Sequence, residues 1–316
     1  MAEYRIGVDV GGTTVKAGII DGNNRIIARA TVPTQPELGP DTAAANIALA
    51  VKNAVQNAGL SLRDFRFAGF GLPGLIAVQN GILIHGGNIG MTNYPIREKL
   101  EDALGLPAYI GNDADCAAIG ETVAGVAANY RYVLFLTLGT GLGSSMIIDR
   151  KPLLGSGGLG AECGHIIIHQ GGEHCTCGMD GCFEAYASVT ALIRQANRAM
   201  EEHPDSLLNE YVRTRGPING KAIFDCADAG DATALKVIDR YAEYVGVGTG
   251  SLVSIFRPDA VVFGGAVSAQ TERLILPARK YAEKYTFASA VLDLPPFLSA
   301  SLGNDAGIIG AAYLDD

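Results

Sequence analysis

The chain reads as an α/β protein built as two domains or one large unit, and three observations carry that reading. A strand, a glycine turn and a second strand occur together twice, near residues 4–21 and 132–149. Short apolar strands elsewhere are separated by stretches with helical periodicity. At 316 residues the chain is also too long for one small core.

The elements follow in order. Tyr4 to Asp9 is strand-like, Gly11 to Thr14 a turn, and Val15 to Asp21 a returning strand. Asp21-Gly22-Asn23-Asn24 turns the chain into a strand from Arg25 to Val32. A helix is expected from about Asp41 to Ala58, with Ile47, Val51, Ala54, Val55 and Ala58 on one face. Phe67 to Leu72 reads as a buried strand stopped by Pro73-Gly74. Ala108 to Gly111 is another strand, entering a helix at Asn112-Asp113. Then come Tyr132 to Leu138, the turn Gly139 to Gly143, and Ser144 to Asp149. Helices are expected over Val189–Glu202 and Ala232–Phe256, and Ala260 to Phe263 is a late strand ending at Gly264-Gly265. No Pro- or Ser-rich linker interrupts the chain.

Composition narrows the function classes. Hydrophobic residues are 48% and charged residues 18%, the profile of a packed globule. The net charge of −9 argues against a broad nucleic-acid footprint. No run approaches the roughly 18 apolar residues of a membrane span, and Met1 to Arg5 contain no signal-peptide core. Three of the six Cys fall within Cys175–Cys182, crowding that favours metal over disulfides in a reducing compartment. The expected location is cytoplasmic.

Two turns have the chemistry of phosphate cradles. In Asp9-Val10-Gly11-Gly12-Thr13-Thr14-Val15-Lys16, glycine lets backbone N–H groups approach phosphate oxygens, and the two Thr add hydroxyls. Asp9 can hold Mg²⁺ directly or through water, and Lys16 can neutralise charge. The plainer alternative is a β-hairpin turn that needs glycine for a positive φ. Gly7 and Gly12 have Walker spacing, but Thr13 stands where the Lys belongs, and no Gly-x-Gly-x-x-Gly opens a helix. The second turn, Thr137-Leu138-Gly139-Thr140-Gly141, repeats the chemistry. Gly264 and Gly265 form a third backbone surface suited to an adenosine, or simply a strand-to-helix turn.

His165, Cys175, Cys177 and Cys182 make a donor set for structural zinc, three thiolates and one imidazole. His169 and His174 are rival nitrogen ligands, and Cys163 would face away if its segment is extended. Asp113 follows an apolar strand, where ligands sit in α/β sheets, and a carboxylate there can accept a hydroxyl proton. Helix capping is the alternative. Glu162 and Glu184 flank the Cys cluster, and carboxylates suit sugar hydroxyls, ordinary surface acids being the alternative.

With these residues laid out, the chain resembles the ROK family of repressors, open reading frames and sugar kinases. The likeness spans nearly the whole chain. Its carriers are Asp9-x-Gly-Gly-Thr13, Asn112-Asp113, Gly139-Thr-Gly141, Glu162-x-Gly-His165, Cys175-x-Cys-Gly-x-x-Gly-Cys182 with Glu184, and Gly264-Gly265. The resemblance implies two RNase H-like domains of the actin/hexokinase ATPase fold around a central cleft. The expected domains are residues 1–115 with 303–316, and residues 116–302. It implies ATP-dependent phosphorylation of a hexose, glucose first, with Mg²⁺ and a structural Zn²⁺. N-acetylmannosamine, N-acetylglucosamine and allose are the alternative acceptors. It implies Asp113 as general base, and Asn112, Glu162, His165 and Glu184 as sugar ligands. Pro73-Gly74-Leu75 resembles the family's Pro-Gly sugar loop. Asn88 lies in Gly87-Asn88-Ile89-Gly90-Met91-Thr92, where relatives often read Pro-Asn-x-Pro-Gly-Trp. A sugar-sensing repressor or a non-catalytic sugar-binding protein is the rival class; the first phosphate turn begins at Asp9, which leaves no DNA-binding region expected ahead of it, and Asp113 and the glycine turns are present. The expected partners are the hexose, ATP and further copies of the chain, as homodimer or homotetramer.

Overall fold

The computed structural model describes residues 4–315, so the first three residues of the expected signal-free start lie outside it. The chain falls into two compact units. The first runs to Arg131, adds Ser145–Ala161 and resumes at Ser301; the second comprises Tyr132–Ser144 and Glu162–Ala300.

The first unit opens with β1 (Arg5–Val10) and β2 (Thr14–Ile20), antiparallel, with Asp9 opposite Lys16. Next come β3 (Ile26–Pro33) and the helix α1 (Pro40–Asn57). β4 (Ala68–Leu72) pairs parallel with β1. A separate three-stranded sheet follows, β5 (Leu75–Ala77), β6 (Ile82–Gly86) and β7 (Met91–Tyr94). Helix α2 (Ile96–Leu104) leads to β8 (Ala108–Asn112), parallel to β4, and to helix α3 (Asp113–Ala124). The main sheet has the order β3-β2-β1-β4-β8.

Strand periodicity explains its layers. Ile6, Val8 and Val10 share a core with Ile47, Val51, Ala54 and Val55 of α1. Gly7 and Gly69 face the opposite side, where a Cβ would collide with carbonyls of the helix at Ala306–Ala311.

A second five-stranded sheet has the order β11-β10-β9-β12-β13, repeating the first pattern. Its strands are β9 (Val133–Leu138), β10 (Leu142–Ile148), β11 (Lys151–Pro152), β12 (Ala260–Gly264) and β13 (Phe297–Ser299). β12 runs parallel to both β9 and β13. The helices are α4 (Glu184–Ala187), α5 (Val189–Glu202), α6 (Leu207–Arg215), α7 (Gly220–Asp228), α8 (Ala232–Phe256) and α9 (Leu276–Tyr285), with α10 (Ala306–Ala311) back in the first unit.

The expected boundaries at 115/116 and 302/303 move. α3 stays in the first unit because it packs backbone to backbone on α10, where Gly120 faces the Ala306 carbonyl and Gly310 faces that of Cys116. Among the described residues, no helix is long and apolar enough to cross a membrane.

Candidate active site

In the first unit, two carboxylates stand at the C-terminal ends of β1 and β8, the strands that flank β4 and run parallel to it. Asp9 is the penultimate residue of β1 and is half-buried. Burial raises its pKa, and the Lys16 ammonium opposes that rise from 4.0 Å across the β1–β2 pair. The pleat thus turns Lys16 to the same face as Asp9. Gly307 of α10 lies against this carboxyl, and a Cβ there would approach its Cγ to 3.3 Å.

Asp113 begins α3, but capping falls to its neighbour. Asn112 has extended φ/ψ as the N-cap residue, and its Oδ1 accepts the Ala114 N–H at 2.8 Å. Asp113 Oδ1 shares that same N–H at 2.9 Å. The Asp113 side chain is open to solvent, yet protein packs densely around it. Desolvation pushes its pKa up to about 6, the Ala114 hydrogen bond opposes this, and the negative charges of Asp9 and Asp115 add to it. A carboxyl with that pKa is mostly ionised at neutral pH and still basic enough to take a proton.

Asn112 also reaches back. Its Nδ2 donates to the Gly74 carbonyl at 3.2 Å. Gly74 has φ +104°, and a Cβ there would strike the His85 carbonyl, so this loop requires glycine. Asn88 is exposed and lies beside the first glycine turn, where a Cβ on Gly12 would come within 2.9 Å of the Asn88 carbonyl.

Neither Gly11 nor Gly12 has a positive φ, so the hairpin alternative loses its reason for glycine. The turn closes through the Gly11 N–H bonded to the Thr14 carbonyl. Thr34, fully buried, buttresses it: its Oγ1 donates to the Gly11 carbonyl at 2.6 Å, and its N–H bonds Thr13. Thr13 points to solvent and Thr14 is half-buried. Sequence reading missed both Thr34 and Gly307, since a lone Thr after a strand and a Gly in a short helix carry no local signal.

In the second unit, Thr137 is the penultimate residue of β9, and the Gly139 N–H bonds the Gly141 carbonyl across the turn. A Cβ on Gly139 would meet nothing nearer than 3.9 Å, so its backbone is open on that side. Thr140 is exposed, and its carbonyl accepts from Thr190. Gly264 pairs in register with Thr137, and Gly265, at φ +88°, lies against Leu138. The expected adenosine contacts therefore stand beside the second turn.

Gly141 is needed for Glu184. A Cβ there would come within 2.5 Å of Glu184 Oε2, which accepts the Leu142 N–H at 2.9 Å. The other carboxylate oxygen accepts from Thr176 Oγ1 at 3.2 Å and lies 3.5 Å from Cys175 Sγ. Glu184 thus joins the glycine turn to the Cys loop. Burial raises the pKa of Glu162, with His165 opposing and Glu184 adding to the shift, which places these three groups within electrostatic reach of one another.

The ligand atoms of His165, Cys175, Cys177 and Cys182 lie within 4.8 Å of one another. Two separations are 3.6 Å, between the Cys177 and Cys182 sulfurs, and 3.8 Å, between Cys175 Sγ and His165 Nδ1. A tetrahedral site with metal–sulfur bonds of about 2.3 Å has edges of about 3.8 Å. The donor set therefore fits one zinc ion. The rivals are otherwise engaged: His174 pairs with Asp180 at 2.9 Å, His169 stacks near Tyr186, and Cys163 is buried outside the set.

The ROK family model matches residues 5–316. The glucokinase of Halalkalibacterium halodurans is 37% identical over 312 residues, covering 98% of this chain and 94% of its own. That of Streptomyces coelicolor is 36% identical over 312 residues, 98% of this chain and 96% of its own. Among solved structures, a Streptomyces griseus glucokinase in complex with glucose and AMPPNP superposes with a TM-score of 0.85 at 34% identity over 98% of each chain.

Proposed function

Because the chain belongs to the ROK family, we propose that it transfers the γ-phosphoryl group of ATP to the 6-hydroxyl of glucose. It is a ROK-type sugar kinase with the α/β, actin-like ATPase fold. The observation that carries the mechanism is Asp113, a carboxylate with its pKa raised to about 6 beside an Asn that does the capping.

Asp113 accepts the proton of the sugar hydroxyl as the oxygen bonds to phosphorus and the link to the leaving diphosphate breaks. Asn112, Gly74, Asn88, Glu162, His165 and Glu184 orient the sugar. The turns Gly11–Thr14 and Thr137–Gly141 bind the phosphates through backbone N–H groups and Thr hydroxyls. Gly264 and Gly265 receive the adenosine. Asp9 is the residue that would hold Mg²⁺, which when bound neutralises phosphate charge, and Lys16 supplies a further positive charge nearby. His165, Cys175, Cys177 and Cys182 would hold zinc with all four positions filled, a structural role that fixes the loop carrying Thr176 against Glu184. A homodimer or homotetramer in the cytoplasm belongs to the same proposal.

The test is a coupled assay over glucose, N-acetylmannosamine, N-acetylglucosamine and allose, each with ATP, ADP and polyphosphate. Glucose with ATP is expected to give the highest kcat/KM. A higher value for another acceptor would reassign the sugar.

A further inference from the structure

Glu121 is a carboxylate with no solvent exposure at all, three residues from the end of α3. Burying a charge is costly unless its hydrogen bonds are complete. Here they are. Oε1 accepts the backbone N–H groups of Ser301 and Leu302, both at 2.8 Å. Oε2 accepts the Val126 N–H at 2.9 Å and the Ser301 hydroxyl at 3.0 Å. Four donors meet the two oxygens, so each oxygen has two partners and the buried carboxylate is fully satisfied. Gly125 makes room for it, since a Cβ there would collide with Oε2.

The partners are informative. Ser301 is where the chain re-enters the first unit, five residues before α10 begins. α10 then places Gly307 against Asp9 and packs without side chains on α3 through Gly120 and Gly310. α3 carries Asp113 at its first position. One carboxylate thus fastens the helix bearing Asp113 to the segment that leads into the helix touching Asp9. We propose that Glu121 is a positioning residue for phosphoryl transfer, setting where Asp113 stands relative to Asp9. The inference rests on the reading of Asp113 as general base.

The step is sensitive to such placement, because a displacement of about 1 Å can cost about 10²-fold in rate. Glu121→Gln tests it with little change of shape. An amide nitrogen can be tolerated at the Oε2 position only if the Ser301 hydroxyl turns to accept, and the Val126 N–H still loses its acceptor. The expected result is a fall in kcat of roughly 10- to 100-fold with glucose Kd changed less than about threefold. In an Asp113→Asn background the same substitution should cost almost nothing further, because a residue acting through Asp113 has nothing left to position. Ser301→Ala removes one donor of the four and serves if Glu121→Gln does not fold; a kcat loss of about two- to fivefold is expected, again absent in the Asp113→Asn background. Equal losses in both backgrounds, or unchanged kcat in the folded variants, would overturn the assignment. A wild-type kcat in Asp113→Asn alone would instead remove the general-base reading, so the two failures are distinguishable.

Discussion

Replacing Asp113 by Asn separates chemistry from architecture. The substitution keeps the side-chain shape but removes the proton acceptor. Capping should survive, because Asn112 supplies the cap and its Oδ1 already takes the Ala114 N–H. General-base catalysis typically contributes about 10²–10⁴-fold, so kcat should drop by that factor with glucose affinity little changed. The pH profile adds an independent reading. With the Asp113 carboxyl pushed up to about 6, roughly nine-tenths of the enzyme holds it ionised at pH 7 and about one-tenth at pH 5. The wild-type kcat/KM should therefore fall about tenfold from its plateau by pH 5, and that limb should vanish in Asp113→Asn. Stability should move the opposite way. The folded pKa lies above the unfolded value near 3.9, so the folded state binds the proton more tightly. That contribution is present below about pH 4 and is lost as pH rises through about 6. At pH 7 the Asn variant is relieved of a desolvated charge and should melt no lower than wild type. Steady-state kinetics from pH 5 to 8 and thermal melts at pH 7 decide the matter. A folded variant with near-wild-type kcat, or an acid limb that persists without Asp113, refutes the reasoning.

Two further outcomes are expected. Cys177→Ser should reduce bound zinc from about one per chain, lowering thermal stability and turnover together, as measured by metal analysis beside melting curves; a folded, fully active, metal-free variant would remove Cys177 from the ligand set. Gly310→Ala places a methyl group against the Cys116 carbonyl at the α3–α10 contact and should cost more than about 3 kcal/mol in urea denaturation. Gly22→Ala, with open space around it, should change stability by less than about 0.5 kcal/mol and serves as its control.

Much of this architecture was readable locally. β1, β2, β9, α5 and α8 stand within a residue or so of where apolar periodicity, glycine turns and helix starts put them, because those signals lie in the segments themselves. The β5–β7 sheet went unread, since its strands are three to five residues long and only partly buried. α9 was hidden by Pro277, which reads as a breaker although it occupies the first turn, where proline is tolerated. The site divides along the same line. Spacing nominated the four zinc donors, but only distances set aside His169 and His174. Asn112 and Asp113 are both good caps on paper, and hydrogen-bond geometry decided between them. Glu121 was invisible because a Glu in a helix reads as surface acid, and its Ser301 partner lies 180 positions away.

The placement of α10 bears on how the chain reaches its folded state. The helix that covers Gly7 and Gly69 follows the entire second unit in the chain. During synthesis at about 5–20 residues per second, the sheet built from β1 and β4 must therefore wait many seconds with that face uncovered. The second unit, whose residues are all translated before α10 emerges, is free to fold in the meantime. A released chain truncated after residue 300 should accordingly carry a protease-resistant second unit beside a susceptible first one, and the glycine-lined face is the surface a chaperone would meet during that interval.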